Sequence, residues 1–208
     1  MFNMLITEES LKITQSISEK IENLTFHHHY HILYDIAKTF PDDYKLTYVE
    51  IGCYGGGSAC LMLQRKNIQV ISIDLGYPID PSIVRQNVKN LNIHNNDYHY
   101  ILGNSQEQET INKLKNLIGD QKIDILFIDG DHTFNGVLSD FSNYEKFVSE
   151  NGYVVFDDYN DKEHSPEVKS AVDSIDFKNY EFIGVFGSEF KARPNIGVGN
   201  EYVVKKIK

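Results

Sequence analysis

The sequence predicts an α/β fold: a doubly wound seven-stranded sheet, mostly parallel, that closes in an antiparallel C-terminal hairpin. Three observations predict it. From residue 46 onward, short apolar runs of strand type alternate with stretches of helical period, the pattern of a parallel sheet covered on both faces. Three of those runs end on carboxylates: Asp74, Asp129 and the pair Asp157-Asp158. The last two strand-like runs have no helix between them, and strands joined by a loop alone pair antiparallel.

The elements follow in order. Thr7 can cap a first helix, in which Ile13, Ile17, Ile21 and Leu24 recur at helical spacing. A second helix is expected from about His27 to Phe40, stopped by Pro41. Residues 1–40 are therefore expected to form a helical cap on a domain spanning residues 41–208. Leu46 to Ile51 reads as a strand, followed by a glycine-rich turn and a helix from about Ser58. Val70 to Ile73 is a strand, and the next helix opens at Pro81, a favoured first-turn position. Tyr98 to Leu102 is a strand before a helix around Glu109 to Ile118. Ile123 to Ile128 is a strand before a helix across Val137 to Val148. Val154 to Phe156 is a strand before a helix from Ser165-Pro166. Tyr180 to Phe186 and Glu201 to Ile207 form the hairpin, linked through Gly187, Pro194, Gly197 and Gly199.

Composition bounds the function. A chain of 208 residues with 41% hydrophobic content suits one domain with a sizeable core. No apolar run approaches the ~18 residues of a membrane span. The N-terminus carries Glu8 and Glu9 and lacks a basic region followed by a long apolar stretch, so no secretory signal is expected. Cys53 and Cys60 lie in one strand–loop–helix unit, which is neither a disulfide framework nor a zinc pattern. A reducing, cytoplasmic setting is expected. Lysine and arginine total 20 against 30 acidic residues, a net charge of −10, and no basic cluster stands out. That field repels nucleic acid. The expected partner is a small-molecule or glycan substrate, with no nucleic acid and no membrane; self-association stays open.

Ligands of an open parallel sheet bind at the carboxyl ends of its strands. Neighbouring strands ending in Asp129 and in Asp157-Asp158 would deliver three carboxylates to one point. Carboxylates that close repel one another unless a cation sits between them, and oxygen ligands suit Mg²⁺ or another hard divalent ion. Val49 to Ser58 forms the first strand-to-helix turn, where glycines let the backbone approach a ligand. It does not fit G-x-G-x-x-G, because Tyr54 stands where the second glycine belongs, and no Gly-Lys-Ser/Thr follows. Asp74 ends the second strand, where an acidic side chain can accept hydrogen bonds from both hydroxyls of a ribose. That feature alone does not separate nicotinamide dinucleotides from S-adenosylmethionine.

Taken together, Glu50, Gly52, Tyr54, Gly56 and Ser58 resemble the first motif of class I S-adenosylmethionine-dependent methyltransferases. The pattern is similar to the metal-dependent O-methyltransferases of the catechol type, whose fold is the Rossmann-like seven-stranded sheet with an antiparallel last strand. Gly103-Asn104-Ser105-Gln106-Glu107 resembles that family's adenine-contacting segment, and Asp129 with Asp157-Asp158 resembles its metal site. The resemblance covers about residues 45 to 208, with its motifs in the family's order. It implies that Glu50, Gly52, Tyr54 and Ser58 surround the methionine end of the cofactor, that Asp74 holds the ribose, and that Ser105 and Gln106 border the adenine. It also implies that Asp129, Asp157 and Asp158 bind Mg²⁺.

His132 follows Asp129 by three positions. The catechol branch usually carries lysine there. A branch that methylates sugar hydroxyls, typified by macrolide-sugar methyltransferases, is similar to this chain in having histidine there and two adjacent acidic residues at the second metal position. The resemblance thus implies a sugar or glycan hydroxyl as acceptor, with His132 as the catalytic base. A metal ion lowers the pKa of a hydroxyl, and an imidazole can take its proton. Asp131 reads as a partner behind the site or a helix cap. Three rivals remain: a catechol or phenol acceptor, a nicotinamide-dependent oxidoreductase, and a non-catalytic cofactor-binding module.

Phe26-His27-His28-His29-Tyr30-His31 is unusual in its density of histidine. His27 and His31 stand i, i+4 on the expected helix and can share a metal. The same run also reads as a polar helix face, or as a cap whose rings contact substrate together with Tyr159 and Asn160.

Overall fold

A computed structural model describes residues 7–21, 30–187 and 200–208. It contains β1 (Leu46–Ile51), β2 (Ile68–Asp74), β3 (Asp97–Leu102), β4 (Ile123–Ile128), β5 (Val148–Phe156), β6 (Tyr180–Phe186) and β7 (Glu201–Lys206). The helices are α1 (Glu8–Ser18), α2 (His31–Ala37), α3 (Gly57–Met62), α4 (Pro81–Leu91), α5 (Gln108–Ile118), α6 (Phe134–Tyr144) and α7 (Val168–Ser174). The strand order is β3-β2-β1-β4-β5-β7-β6. β1 to β5 pair in parallel. β7 inserts antiparallel between β5 and β6. The expected α/β sheet, with its antiparallel C-terminal strands, is the observed one.

Side chains alternate across each strand, so the sheet buries two apolar faces. On β4, Ile125 and Phe127 face one core with Tyr48, Val70 and Val155, whereas Leu126 and Ile128 face the other with Val49, Ile71 and Val154. The first core is closed by Ile17, Ile32, Leu33 and Ile36 of α1 and α2 together with Leu61 and Met62 of α3. The second is closed by Leu114, Val137 and Val172 of α5, α6 and α7. Thr7 caps α1 as the sequence predicts. Its hydroxyl also donates to Asp35 at 2.8 Å, which ties α1 to α2.

Arg65 locks the N-terminal helices to the sheet. It is 4% exposed and donates to the carbonyls of Ala37, Phe40, Pro41, Tyr44, Lys66 and Asn67. Six carbonyls at one guanidinium turn the chain from α2 into β1 beside the end of α3.

Several boundaries differ from the sequence reading. α6 ends at Tyr144, short of the expected Val148, because Val148 is buried and opens β5 opposite Ile123. α7 starts at Val168, after Ser165-Pro166. The second helix is described only as His31–Ala37, all seven residues buried. Leu24 and His27, His28 and His29 lie outside the described residues, so their expected roles are untouched. Among the described residues, no helix is long and apolar enough to cross a membrane.

Candidate active site

The strand order reverses between β1 and β4, and ligands of open α/β sheets bind at such a switch point. Backbone bonds carry the parallel ladder one residue past the strand ends. Gly52 N–H donates to Ile73 O at 2.8 Å, Asp129 N–H to Ile51 O at 2.8 Å, Asp157 N–H to Ile128 O at 3.0 Å and Gly103 N–H to Asp74 O at 3.0 Å. Gly52, Gly103 and Asp129 therefore border one opening. A cleft of about 710 Å³ lies there, a volume ordinary for a small-molecule site.

At one end of the cleft stand Gly52, Tyr54, Asp74, Ser105 and Gln106. Asp74 also holds the glycine turn. Its carboxylate accepts the N–H groups of Cys53 at 2.8 Å, Tyr54 at 3.3 Å and Gly76 at 2.7 Å, and the Tyr100 hydroxyl at 3.3 Å. Tyr54 sits at φ 45°, a left-handed conformation uncommon outside glycine. Leu75 and Tyr77 line the same end at 65% and 83% exposure, apolar surface open to a flat ligand. Sequence reasoning missed both, although Leu75-Gly76-Tyr77 directly follows the expected ribose carboxylate.

Glu50 and Ser58 do not reach the cleft, and here the structure departs from the expectation that they surround the cofactor. Glu50 is fully buried and accepts the hydroxyls of Ser58 at 2.6 Å, Ser72 at 2.6 Å and Tyr48 at 2.9 Å. It fastens the start of α3 to β1 and β2 beneath the glycine turn. Burial pushes its carboxyl from an ordinary value near 4.5 up to about 7, against the pull of the three hydroxyls. The folded state thus holds a proton that the unfolded chain has lost. Stability from Glu50 is full below pH 4.5 and is lost as pH rises through about 7. Glu50→Gln should flatten the fall in unfolding free energy across that window, by up to ~1.4 kcal/mol per pH unit. Denaturant titrations of both proteins from pH 5 to 7.5 check this; parallel pH profiles would remove Glu50 as the titrating group.

At the other end stand Asp129, His132 and Asp158, whose ligand atoms lie within 4.8 Å of one another. His132 Nε2 is 3.2 Å from Asp129 Oδ1, and Nδ1 is 3.5 Å from Asp158 Oδ2. Ser165, missed in the sequence, bridges them: its hydroxyl donates to Asp158 Oδ2 at 2.7 Å and lies 2.8 Å from His132 Nδ1. Tyr30, from the histidine-rich run, lines the cleft and donates to Asp129 Oδ2 at 3.3 Å. Asp157 is outside the converging trio; its Oδ1 accepts the N–H of Asp158 at 2.8 Å. Asp158 occupies φ 56°, a strained position for a side-chain-bearing residue and a mark of functional sites. Asp131 accepts the Thr133 N–H at 3.0 Å and the Gln106 side-chain amide at 3.2 Å, while Thr133 caps α6.

The carboxylates act on one another and on the imidazole. Burial and the charge of Asp157 raise the pKa of Asp129 and push that of Asp158 up to about 6. Burial opposes protonation of His132, but its hydrogen bond to Asp129 and the charges of Asp129, Asp158 and Asp157 outweigh it and push its pKa up to about 9. Carboxylates that resist ionisation beside an over-stabilised imidazolium form a site short of positive charge. The oxygen donors and this charge deficit fit a hard divalent cation.

Known proteins share this chain's family and its fold. Residues 49–159 match the family profile of a methyltransferase domain. An uncharacterized protein of Acanthamoeba polyphaga mimivirus is 44% identical over 161 residues, covering 76% of this chain and 72% of its own. An O-methyltransferase from Bacillus cereus, solved with S-adenosylhomocysteine, shares the fold at TM-score 0.65 and 16% identity, over 96% of this chain and 92% of that one. An rRNA methylase from Streptococcus thermophilus superposes at TM-score 0.61 and 11% identity, over 89% of this chain and 100% of its own.

Proposed function

The chain belongs to the methyltransferase-domain family, and from that premise we propose that it transfers a methyl group from S-adenosylmethionine to a hydroxyl of a sugar or glycan, with Mg²⁺ or another divalent cation. One observation carries the reading: a single cleft runs from Asp74, Ser105 and Gln106 to Asp129, His132 and Asp158. Donor and acceptor can therefore meet in line, and holding two reactants in that geometry supplies much of the rate.

In this reading Asp74 accepts the ribose hydroxyls in place of its two long bonds, from the Tyr54 N–H and the Tyr100 hydroxyl, both at 3.3 Å; Ser105 and Gln106 border the adenine, and Leu75 and Tyr77 cover its face. Gly52 and Tyr54 bound the methionine end, while Glu50 and Ser58 support it from below. Asp129, Asp157 and Asp158 hold the cation, with Asp129 and Asp158 the pair whose oxygens already converge on His132. Bound there, the cation lowers the pKa of the acceptor hydroxyl and relieves the carboxylates' pull on His132, and S-adenosylmethionine supplies an electrophilic methyl group. His132 takes the hydroxyl proton on Nε2. The Ser165 hydroxyl has one proton and gives it to Asp158, so toward Nδ1 it accepts; Nε2, which faces Asp129 Oδ1 at 3.2 Å, would become the basic nitrogen only with Asp129 drawn onto a bound cation.

The histidine at 132 supports a sugar acceptor over a phenol. No lysine or arginine lines the cleft among the described residues, whereas Asp74, Asp129, Asp131 and Asp158 do, which favours an uncharged acceptor over nucleic acid. Free, buried Cys53 and Cys60 suit a reducing compartment such as the cytoplasm. The test is calorimetric titration with S-adenosylhomocysteine, in Mg²⁺ buffer and after EDTA, followed by a screen of sugar and phenol acceptors. Micromolar binding and a methylated sugar are expected. No binding in either buffer would overturn the cofactor assignment, and methylation of phenols alone would overturn the acceptor class.

A further inference from the structure

Ser105 is held at both its side chain and its backbone by one helix. Its hydroxyl donates to Asp140 Oδ1 at 2.7 Å, and its carbonyl accepts the Tyr144 hydroxyl at 2.9 Å. Asp140 and Tyr144 are one turn apart on the same face of α6. Both are fully buried and neither lines the cleft, whereas Ser105 and Gln106 do. Gln106 is fixed in turn: its N–H donates to Asn104 Oδ1 at 2.9 Å and its side-chain amide to Asp131 Oδ2 at 3.2 Å.

Asp140 is costly where it stands. Its Oδ2 makes no hydrogen bond among the described residues. That oxygen faces Gly130, where an added Cβ would come within 3.1 Å of it. No cation pairs with the carboxylate among the described residues. Burying a half-satisfied carboxylate costs stability, and a neutral or apolar residue would lower that cost. Such a residue is kept in a core when it does something the apolar one cannot.

We propose that Asp140 and Tyr144 are positioning residues that set the adenine-recognising edge of the cofactor cleft, a role that rests on the S-adenosylmethionine reading above. A loop of small polar residues does not hold its donors and acceptors in place by itself; recognition needs them fixed to within about half an ångström by what packs behind them. α6 supplies that support. Its first turn follows directly on the loop of His132, so one rigid helix sets both the adenine edge and the base.

The test compares S-adenosylhomocysteine with S-inosylhomocysteine, which carries an oxo group in place of the adenine amine. Dissociation constants are measured by calorimetry for the wild type and for Tyr144→Phe, Asp140→Ala and Asp140→Asn. The wild type is expected to prefer the adenine ligand by at least ~10-fold, the worth of about one well-placed hydrogen bond. Tyr144→Phe and Asp140→Ala should lose most of that preference, and Asp140→Asn, which keeps an accepting oxygen for Ser105, should retain it. Wild-type affinity and preference in both disruptive variants would overturn the proposal. So would equal weakening for both ligands with the preference unchanged, the mark of a merely structural role. A wild type that binds both ligands equally would overturn it as well. If Asp140→Ala does not fold, Tyr144→Phe, which removes one oxygen from an otherwise intact ring, decides alone. A wild type that binds neither ligand would instead defeat the cofactor reading itself.

Discussion

Replacing His132 with alanine is expected to lower methyl transfer by ~10²–10⁴-fold, the usual worth of a positioned general base, while leaving S-adenosylhomocysteine affinity essentially unchanged. The split follows from where the residue stands. His132 is gripped by Asp129 at 3.2 Å and by Ser165 at 2.8 Å, beyond the end of β4, whereas Asp74 ends β2. Nothing that holds the cofactor end passes through its imidazole. Losing the ring should therefore slow the chemical step and spare binding. Transfer of labelled methyl groups to the acceptor found in the screen, beside calorimetry, measures both quantities. Turnover at the wild-type rate would rule out His132 as the base, and a parallel loss of cofactor affinity would make it a structural member of the cleft.

Gly52→Ala should produce the largest loss of stability of any single methyl addition near the cleft. Gly52 sits at φ 81°, and a Cβ there would overlap the carbonyl of Asp129, 2.6 Å from its carbon. That carbonyl belongs to the β4 end, which is itself pinned to β1 by the Asp129 N–H bond to Ile51 O. The two strands would have to part where the cleft opens. A cost of about 3 kcal/mol or more is expected, a fall in Tm of roughly 6–12 °C, together with loss of S-adenosylhomocysteine binding. Gly119→Ala is the matched control. It also has positive φ, 57°, but an added Cβ meets nothing within 4 Å. Only the backbone conformation is strained there, at φ 57° and ψ −122°, and a smaller cost of about 1–3 kcal/mol is expected. Thermal melts of the two variants check the difference. Equal shifts would mean that the close approach of β1 and β4 is not what demands a glycine at position 52.

Much of the candidate site was legible because it is built at strand ends. Asp74, Asp129 and Asp157-Asp158 each close an apolar run, and that placement is visible without coordinates. Glu50 shows the limit of the same reasoning. Its position in the glycine motif is plain, but its side chain turns into the core toward Ser58 and Ser72, because the residues of a strand alternate faces and the sequence does not say which face meets the ligand. Asp157 and Asp158 are likewise adjacent in sequence, and it is the left-handed conformation of Asp158 that brings its carboxylate to 3.5 Å from His132 Nδ1.

By itself the sequence determined the order of strands and helices, the antiparallel close of the sheet and the carboxylates at its carboxyl ends. Those are local properties, written in hydrophobic period, turn residues and the absence of a crossover helix. Only the tertiary structure decided that Ser165 meets His132 across 33 residues, that Tyr30 meets Asp129 across 99, and that Asp140 and Tyr144 brace Ser105. These contacts depend on how β1, β4 and β5 pair and on where α2 and α6 dock. Polar residues that meet through docking carry no periodic signal of their own.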